Sequence, residues 1–514
     1  MDYDTPTLIE TGSQHSKRIA YLILALVAAK LLIHLLTNHR YGYHRDEFYF
    51  LACADHLAAG YVDHSPGIGW ITWFGRLLFG DSIRGIRFLP AVAGAASLWL
   101  TCLICQRLGG GFRAVLLAGL AFLFNPLFLR SNGMLTIVVF DQFFWVLTLY
   151  LVLRTLQSQN DRGWLWVGTA IGLGLLTKHS MVFLCFGLTV AILLTPHRKR
   201  LLSPYFWAGV GIAFFLFLPN LIWQMNHDWA TLEFLRGLNE NRMQRISRIE
   251  FLIGQFLYMG PFNAPVWIAG LIFFCLSSAG KPYRIFGWTY FAILILFLIV
   301  QSKIYYLGPA YPMLFAAGGV AFERLFNRLN LRWAFHALTL FVVLGGLVLL
   351  PFSAPVLSFE NFKRYADRIL FLLPHSNEAD DTLNDMFGWP EMVEAVADVY
   401  RSLPPEEQSH CAIVTSNYGE AGAIDLFGPD YNLPKAYSGH NSYWYWGPPE
   451  TGADTLITVG VDVDELREVV EDVDVRTVFS PEQPNVGERN VPICVCRNLP
   501  LSIQEYWPYA KHYD

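Results

Sequence analysis

The sequence contains few charged residues for its length. Asp, Glu, Lys and Arg make up 15% of its 514 residues, whereas a soluble domain usually carries about 25%. Apolar residues account for 54% of the chain. This composition excludes an ordinary soluble protein and predicts a chain that is largely surrounded by lipid.

Several motifs of soluble enzymes are also missing. The sequence has no Gly-rich phosphate loop, no zinc-finger spacing of Cys and His, and no Ser nucleophile elbow. No repeat stands out, and no small-residue cleavage site follows the first apolar run. We therefore expect no nucleotide cofactor and no nucleic-acid partner, and we predict that the first apolar run is a signal anchor.

The few charges are unevenly distributed along the chain. Residues 1–352 carry 15 acidic and 27 basic side chains, a net charge of +12, whereas residues 353–514 carry 27 acidic and 10 basic side chains, a net charge of −17. We predict a cytoplasmic N-terminal tail at 1–18, a transmembrane domain at 19–352 and a soluble domain at 353–514.

Long apolar runs predict about eleven transmembrane helices. They lie at about 19–37, 86–106, 114–130, 134–154, 163–177, 180–196, 205–224, 252–275, 284–301, 305–323 and 334–352. Alternate connections, such as residues 197–200, are short and basic, which places them in the cytoplasm. The other connections and the acidic tail then face outward.

The acidic tail is predicted to form an α/β domain. Strand-like runs lie at about 411–415, 455–460, 475–479 and 491–496, and helical periodicity lies at about 389–403 and 463–471. Asp462 and Asp464 begin the second helix and are candidates to cap it, and Asp425 and Asp430 are interpreted as turn residues rather than ligands. Cys494 and Cys496 share one face of a strand and could reach Cys411; a disulfide and unpaired thiols are both open.

The first outward loop carries a dense group of titratable residues, in Tyr41-Gly-Tyr-His-Arg-Asp-Glu-Phe-Tyr-Phe50. Residues 45–59 have the amphipathic spacing of an interfacial helix, and Asp63 and His64 precede a second amphipathic stretch that ends near residue 80. This pattern favours a functional site, although ordinary contacts with lipid headgroups would also explain it.

Charged residues in or beside later spans are further candidates. Asp141 lies inside a predicted span, where a carboxylate costs about 2.5–3.5 kcal/mol and should face a cavity or a partner. Lys178 and Lys303 lie at outward span ends, where snorkelling would also explain each. With Asp46 and Asp63 they favour an anion site on the outer face.

A metal site is the weakest of these predictions. His227 lies on the same predicted face and, with Asp63 and His64, would give ligands of mixed N/O type. The three positions are widely dispersed in the sequence, so an unliganded His227 is the alternative.

Five motifs together have a recognisable order. They are His44-Arg-Asp-Glu47, Asp63-His-Ser-Pro66, Phe140-Asp-Gln142, Thr177-Lys-His179 and Lys303-Ile-Tyr-Tyr-Leu-Gly-Pro-Ala-Tyr-Pro312. Over about residues 18–350 the sequence resembles the protein O-mannosyltransferase-like glycosyltransferases of the GT-C superfamily, in the bacterial branch that includes the lipid A aminoarabinose transferase and rhizobial lipopolysaccharide galacturonosyltransferases. Asn417-Tyr-Gly-Glu-Ala-Gly422 and Ser438-Gly-His-Asn-Ser-Tyr-Trp-Tyr-Trp446 look like tail motifs of a bacterial subgroup.

The resemblance implies a polytopic, α-helical GT-C fold in a bacterial cytoplasmic membrane, in contact with membrane lipids, with the active site and the α/β tail on the outer face. It implies transfer of a sugar from a polyprenyl-phosphate donor to an extracytoplasmic lipid, glycan or protein acceptor. By resemblance, Asp46 is the general base with Glu47 as its neighbour, and Asp141 is the acidic residue of the later span. Asp63 matches a position that binds a divalent metal in some relatives, with His227 as a second ligand.

The residue types suit this chemistry. In an inverting displacement, one carboxylate takes the proton of the attacking acceptor hydroxyl. The departing polyprenyl phosphate gains charge and needs cations, for which the candidates are Arg45, His64, Lys178 and Lys303. Tyr305 and Tyr306 would stack on the sugar or line the lipid groove, with interfacial packing as the alternative.

A transporter or flippase for a lipid-linked or polar solute is the alternative function. It would use Asp141 as a coupling group and would be expected to show repeated spans and charges along the whole pathway. Here the charges collect on one face and no repeat is visible. An anchored binding module is a third possibility, which the structured first loop argues against.

Overall fold

The computed structural model describes residues 7–158, 160–241, 246–369, 383–449, 453–481 and 490–513. The first six residues of the predicted N-terminal tail therefore lie outside the described residues. The first twelve helices are α1 (Thr7–Thr37), α2 (Arg45–Asp55), α3 (Gly67–Phe79), α4 (Ile83–Ile86), α5 (Phe88–Arg107), α6 (Phe112–Leu123), α7 (Pro126–Ser131), α8 (Ile137–Gln157), α9 (Gly163–Thr177), α10 (Met181–Leu194), α11 (Pro204–Asn226) and α12 (Ala230–Asn241).

Twelve further helices follow among the described residues. They are α13 (Arg248–Tyr258), α14 (Ala264–Cys275), α15 (Arg284–Val300), α16 (Tyr311–Arg328), α17 (Arg332–Leu349), α18 (Phe359–Ile369), α19 (Trp389–Arg401), α20 (Pro405–Ser409), α21 (Tyr418–Phe427), α22 (Ser442–Tyr445), α23 (Val463–Val469) and α24 (Ile503–Tyr506). The strands are β1 (Cys411–Thr415), β2 (Ala436–Ser438), β3 (Thr455–Val459), β4 (Asp472–Phe479) and β5 (Val491–Arg497). Short 3₁₀ helices include Pro196–Leu202, Pro261–Asn263 and Ile304–Ala310.

The chain divides into two compact units. The helical unit contains Met1–Asn38, Arg87–Pro219 and Gln244–Arg364, and the mixed unit contains His39–Ile86, Asn220–Met243 and Tyr365–Asp514. Each of the three predicted segments is continuous in sequence, whereas each compact unit combines three separate stretches of the chain. The first outer loop belongs to the same unit as the tail, a grouping that the sequence did not predict.

The core of the helical unit is a large cluster of buried apolar side chains. Within it, α14 packs along α16 and α10 packs along α15. Small residues allow the first pair to approach closely, because a Cβ on Gly270 or Gly318 would overlap a backbone carbonyl of the opposite helix. Close contact through small residues is typical of helix pairs in membranes.

Six described helices are long and apolar enough to cross a membrane, which makes the chain a multi-pass membrane protein. They are Ser16–Thr37, Ile83–Arg107, Ile137–Gln157, Pro204–Asn226, Lys281–Val300 and Arg332–Phe352. The number rises to eight if two bent pairs each form one span; these pairs bend by 109° after Leu194 and by 84° before Pro261. The predicted count of eleven stays a prediction, because prolines and short turns break several of the apolar runs.

The tail folds around a five-stranded sheet in the order β2-β1-β3-β5-β4. The pairs β1–β2 and β1–β3 are parallel, and the pairs β3–β5 and β5–β4 are antiparallel. Four strands lie where the sequence predicted them, and the short strand β2 was not predicted. As predicted, Asp462 caps α23, accepting hydrogen bonds from the backbone N–H groups of Asp464 and Glu465.

For the tail cysteines the structure selects one of the two open alternatives, and for Asp425 it corrects the predicted turn. The cysteines are unpaired, and β3 lies between the strands of Cys411 and Cys494. A separation of two strand spacings, about 9.6 Å, is too wide for a disulfide. Asp425 is a helical residue of α21 rather than a turn residue, and it accepts hydrogen bonds from the Ala436 N–H at 3.0 Å and the Tyr443 hydroxyl at 3.2 Å.

Candidate functional site

Helix α2 begins with a reciprocal cap built from the first-loop motif. The Asp46 N–H donates to His44 Nδ1 at 3.2 Å, and the His44 N–H donates to Glu47 Oε2 at 2.9 Å. These bonds satisfy two of the backbone donors that a helix leaves open at its start. Glu47 is fully buried, so its carboxylate holds the start of the helix.

Asp46 differs from its neighbour in exposure. Its side chain is 42% exposed, and its Oδ1 accepts a hydrogen bond from the Tyr418 hydroxyl at 2.9 Å. Burial raises the pKa of Tyr418, and the negative charge of Asp46 raises it further. Tyr418 therefore remains a hydroxyl donor over the physiological pH range and holds one oxygen of Asp46 while leaving the carboxylate accessible.

Two glycines bring Tyr418 close to α2. They lie three residues apart on α21, so both fall on one face of that helix. A Cβ on Gly422 would lie 2.6 Å from Cβ of Phe48, and a Cβ on Gly419 would lie 3.1 Å from Cβ of Arg45. The tail motif that contains these glycines therefore has a packing role, because it lets α21 lie directly against the helix that carries Asp46.

Arg45 is tied to the tail by an ion pair. Its backbone N–H and its Nε both donate to the carboxylate of Asp385, each at 2.8 Å. His44 Nε2 lies 3.5 Å from the same carboxylate. The predicted phosphate-binding role of Arg45 stays a prediction, and the structure adds a positioning role for this side chain.

Asp63 joins a second network. The Tyr49 hydroxyl donates to Asp63 Oδ1 at 2.8 Å, and the hydroxyl oxygens of Tyr49 and Ser442 lie 2.7 Å apart. Burial raises the pKa of Tyr49, with a further contribution from Asp63. The rings of Tyr49 and Tyr418 stack with centroids 4.6 Å apart, so the groups of Asp46 and Asp63 are adjacent.

The predicted metal ligands do not form a ligand set. His64 is buried with Nδ1 2.9 Å from the Ser65 carbonyl oxygen, and its Nε2 is 3.9 Å from Asp63 Oδ1. His227 stacks on Trp223, and its Nδ1 lies 2.8 Å from that residue's carbonyl oxygen. In the part of the chain that the structure describes, no three His, Cys, Asp or Glu side chains are grouped to hold a metal ion.

The helical unit brings three predicted residues together. Lys178 is buried in the break between α9 and α10, and its Nζ lies 5.3 Å from the ring centroid of Tyr305 and 4.6 Å from that of Tyr306. Cation–π contacts of this kind hold an ammonium group in place while leaving its charge available to an anion. Lys303, just before this tyrosine pair, is exposed.

Asp141 lies on α8 within the electrostatic reach of Lys178. It is buried, and among the described residues its Oδ1 has no hydrogen-bond partner. Ser180 Oγ and Trp145 Nε1, which interact with this carboxylate, are also buried and form no well-aligned hydrogen bond. Buried polar groups are normally satisfied, so this group of atoms is suited to a polar ligand or ordered water.

Sequence reasoning missed a second intramembrane group. Lys30 is fully buried on α1 and donates to the Phe128 carbonyl oxygen at 2.9 Å. One turn later His34 is also buried, with the side chain of Asn38 as its neighbour. The spacing of four residues within one apolar run was the available signal. Tyr418 and Asp385 were missed because their partners lie far away in sequence.

Residues 63–223 match the family of dolichyl-phosphate-mannose-protein mannosyltransferases. The chain is 27% identical over 229 residues to the lipid A galacturonosyltransferase RgtD of Rhizobium johnstonii, covering 43% of this chain and 48% of that protein. The predicted resemblance is confirmed. These protein O-mannosyltransferase-like relatives also include the undecaprenyl phosphate-α-4-amino-4-deoxy-L-arabinose arabinosyl transferase 1 of Pseudomonas fluorescens, 30% identical over 28% of this chain and 27% of that protein.

The fold of the chain is also similar to that of a solved structure. ArnT from Cupriavidus metallidurans, solved with undecaprenyl phosphate bound, superposes with a TM-score of 0.60 at 16% identity, over 92% of this chain and 97% of that one. The chain therefore shares the mostly helical fold of ArnT. The sequence similarity extends over less of the chain than the similarity of fold does. The chain spans about half the length of RgtD.

Proposed function

We propose that this protein is a glycosyltransferase that moves a sugar from a polyprenyl-phosphate donor to an acceptor hydroxyl on the outer face of a bacterial cytoplasmic membrane. The observation that carries the proposal is Asp46, an accessible carboxylate in the first turn of α2 that is held by Tyr418. The fold shared with an undecaprenyl-phosphate-bound protein supports the donor class, and the names of the curated relatives support sugar transfer.

Asp46 is the general base of the proposed reaction. The acceptor oxygen forms a bond to the anomeric carbon, the bond from that carbon to the phosphate oxygen breaks, and Asp46 takes the acceptor proton. The anomeric configuration is inverted in this single displacement. Glu47 is less suited to this role, because it is buried and its carboxylate caps its own helix.

In the helical unit, the buried Lys178 is held by Tyr305 and Tyr306 and is suited to bind the phosphate of a donor. Asp141 and Ser180 offer buried polar atoms for sugar hydroxyls. We derive no step through a metal ion, because no three His, Cys, Asp or Glu side chains among the described residues are grouped to hold one.

The test is transfer by the purified full-length protein in lipid, with a panel of labelled polyprenyl-phosphate sugars. Asp46→Asn should lower kcat by about 10²–10⁴, the usual contribution of a general base, while donor binding and thermal unfolding remain unchanged. Asp55→Asn, at the exposed other end of α2, is the matched control and should retain activity.

Two results would contradict the proposal. Equal turnover by wild type and Asp46→Asn would remove Asp46 as the base. Failure of the wild type to bind or turn over any polyprenyl-phosphate sugar would remove the donor class.

A further inference from the structure

A cavity of about 530 Å³ lies in the tail, on one face of its sheet. Its lining comes from residues between Val414 and His512, all of them in the mixed unit. It shares no lining residue with the groups of Asp46 and Asp63 described above. A volume of this size is typical of small-molecule sites.

The cavity lies where the topology of the sheet reverses. The chain leaves β1 for β2 on one side and later enters β3 on the other side of β1, and all three strands are parallel. The residues directly after β1 and β3 line the cavity, namely Ser416 after the first strand and Gly460 and Asp462 after the second. In sheets of this kind ligands bind outside the carboxyl ends of the strands, at the reversal point.

The walls of the cavity are mainly apolar. Leu456 and Cys496 contribute from the sheet, Leu466 and Val469 from α23, and Leu499 from the chain after β5. The helix on this face is only seven residues long, and the apolar side chains packed around its small buried cluster are themselves only partly buried. Parallel strands are normally covered on both faces, so this face has apolar area for an additional group.

One polar atom points to the kind of ligand. Thr458 lines the cavity near the carboxyl end of β3, and its side chain is 3% exposed. Its hydroxyl forms no well-aligned hydrogen bond among the described residues, and its neighbours are the thiols of Cys494 and Cys496. Thiols are weak hydrogen-bond donors and acceptors, so this hydroxyl retains capacity for a stronger acceptor. An oxygen atom of a ligand would satisfy this hydroxyl.

The rim of the cavity is acidic. Asp462 and Glu465 line it, and Asp462 already satisfies the first backbone donors of α23. The lysine of the rim, Lys511, is engaged by Glu233 at 2.8 Å. The rim therefore disfavours an anion and favours a neutral hydroxylated group or a cation.

We propose that this cavity binds the acyl chain of a neutral or cationic amphiphile. The chain lies along Leu456, Cys496 and Leu499, its carbonyl oxygen accepts a hydrogen bond from Thr458, and its head group meets Asp462 and Glu465. This inference is independent of the proposed sugar transfer.

The test uses the full-length protein in lipid nanodiscs and N-decanoylethanolamine with a photoreactive diazirine in its chain. Crosslinked peptides are located by mass spectrometry. We expect saturable crosslinks to the peptides that contain Leu466 and Leu499. Unlabelled N-decanoylethanolamine and decanoylcholine should compete, whereas decanoylglycine, which has the same chain and an anionic head, should compete at least ~10-fold more weakly. Crosslinks to α8 report the probe dissolved in lipid and should not saturate.

Two variants localise the site. Leu466→Trp should fill the cavity and abolish the saturable crosslinks while crosslinks to α8 remain. Thr458→Val should weaken the binding of acyl probes by about 3- to 10-fold. The binding of decyltrimethylammonium, which lacks a carbonyl, should not change. Thr455→Val, on the opposite face of β3, is the matched control.

Crosslinks to the tail that fail to saturate, or that survive Leu466→Trp at full strength, would overturn the proposal. Equal competition by decanoylglycine would overturn the assignment of the head group. Equal loss in Thr458→Val and Thr455→Val would overturn the role of the Thr458 hydroxyl.

Discussion

The two units each contain polar residues that the sequence marks as functional, but the groups differ in how well they are satisfied. In the mixed unit, Asp46 and Asp63 each accept a hydrogen bond from a tyrosine hydroxyl. In the helical unit, Asp141 is buried, and its Oδ1 forms no well-aligned hydrogen bond with its neighbours Ser180 and Trp145. The first group is therefore fixed by the protein, whereas the second has unused hydrogen-bonding capacity.

This difference matches the two roles proposed here. A base must be held in one orientation before the acceptor arrives, and the hydrogen bond from Tyr418 to Asp46 provides that order. A binding site for a hydroxylated donor must instead keep polar atoms available, at a cost in stability. The variants below change one group at a time.

The largest effect is expected for Asp141→Leu. Transfer should fall by about 10²-fold, comparable to the loss of one electrostatic contact in a water-poor site. Thermal unfolding in lipid should occur at the same or a higher temperature, because a buried carboxylate with an unpartnered oxygen is removed. Asp141→Asn is the control of similar size. A clear loss of thermal stability in Asp141→Leu would show that the carboxylate is a structural partner and would remove the contrast between the units.

Gly422→Val should be the most destabilising change in the mixed unit. The new side chain would overlap Phe48 across the contact between α2 and α21, and overpacking of this kind costs about 1–3 kcal/mol. Thermal unfolding measures the effect. Gly211→Val, at a helical position where a Cβ meets open space, is the control. An equal change in both variants would show that helix propensity, rather than the contact, is responsible.

Tyr418→Phe should have a smaller and purely functional effect. Loss of one hydrogen bond to Asp46 corresponds to about 0.5–1.5 kcal/mol, or a decrease of about 2- to 12-fold in kcat. The stacking on Tyr49 is retained, so KM and thermal stability should change little. Tyr431→Phe, on the 3₁₀ helix Gly428–Tyr431, is the control. A change confined to KM would argue against an orienting role for Tyr418.

Asp425→Asn should have the smallest effect, on the pH dependence of stability. Burial raises the pKa of Asp425 to about 6, against opposing hydrogen bonds from Ala436 and Tyr443. A raised carboxyl pKa contributes stability that is present below the unfolded value near 4 and is lost as the pH rises through about 6. The gap in thermal unfolding temperature between pH 4.5 and pH 7 should therefore be smaller in the variant. An unchanged gap would show that Asp425 titrates normally.

Local patterns predicted much of the fold. Runs of apolar residues in the tail predicted the positions of β1, β3, β4 and β5. The aspartate before α23, Asp462, was predicted to cap that helix. The apolar runs located helices, but breaks such as the one before Pro261 depend on how neighbouring helices pack and were not visible in the composition. Strand β2 is three residues long and carries too little periodicity to be recognised.

The candidate site was predictable only in part. Asp46 and Asp141 were candidates from motifs, and the contact of Lys178 with Tyr305 and Tyr306 joins residues that the sequence offered as separate candidates. The contacts of the first loop with Tyr418, Asp385 and Ser442 were not predictable, because these partners are more than 300 positions away and no local pattern records such a distance.

The hydrogen bond between Asp46 and Tyr418 joins residues 372 positions apart. Ribosomes add about 5–20 residues per second, so Tyr418 is synthesised roughly 20–75 s after Asp46. Throughout that interval the nascent chain carries its carboxylate without the tyrosine that orients it. A chain whose translation stops before the tail would thus lack this hydrogen bond, and completion of the C-terminal domain supplies the last contact that orients the proposed base.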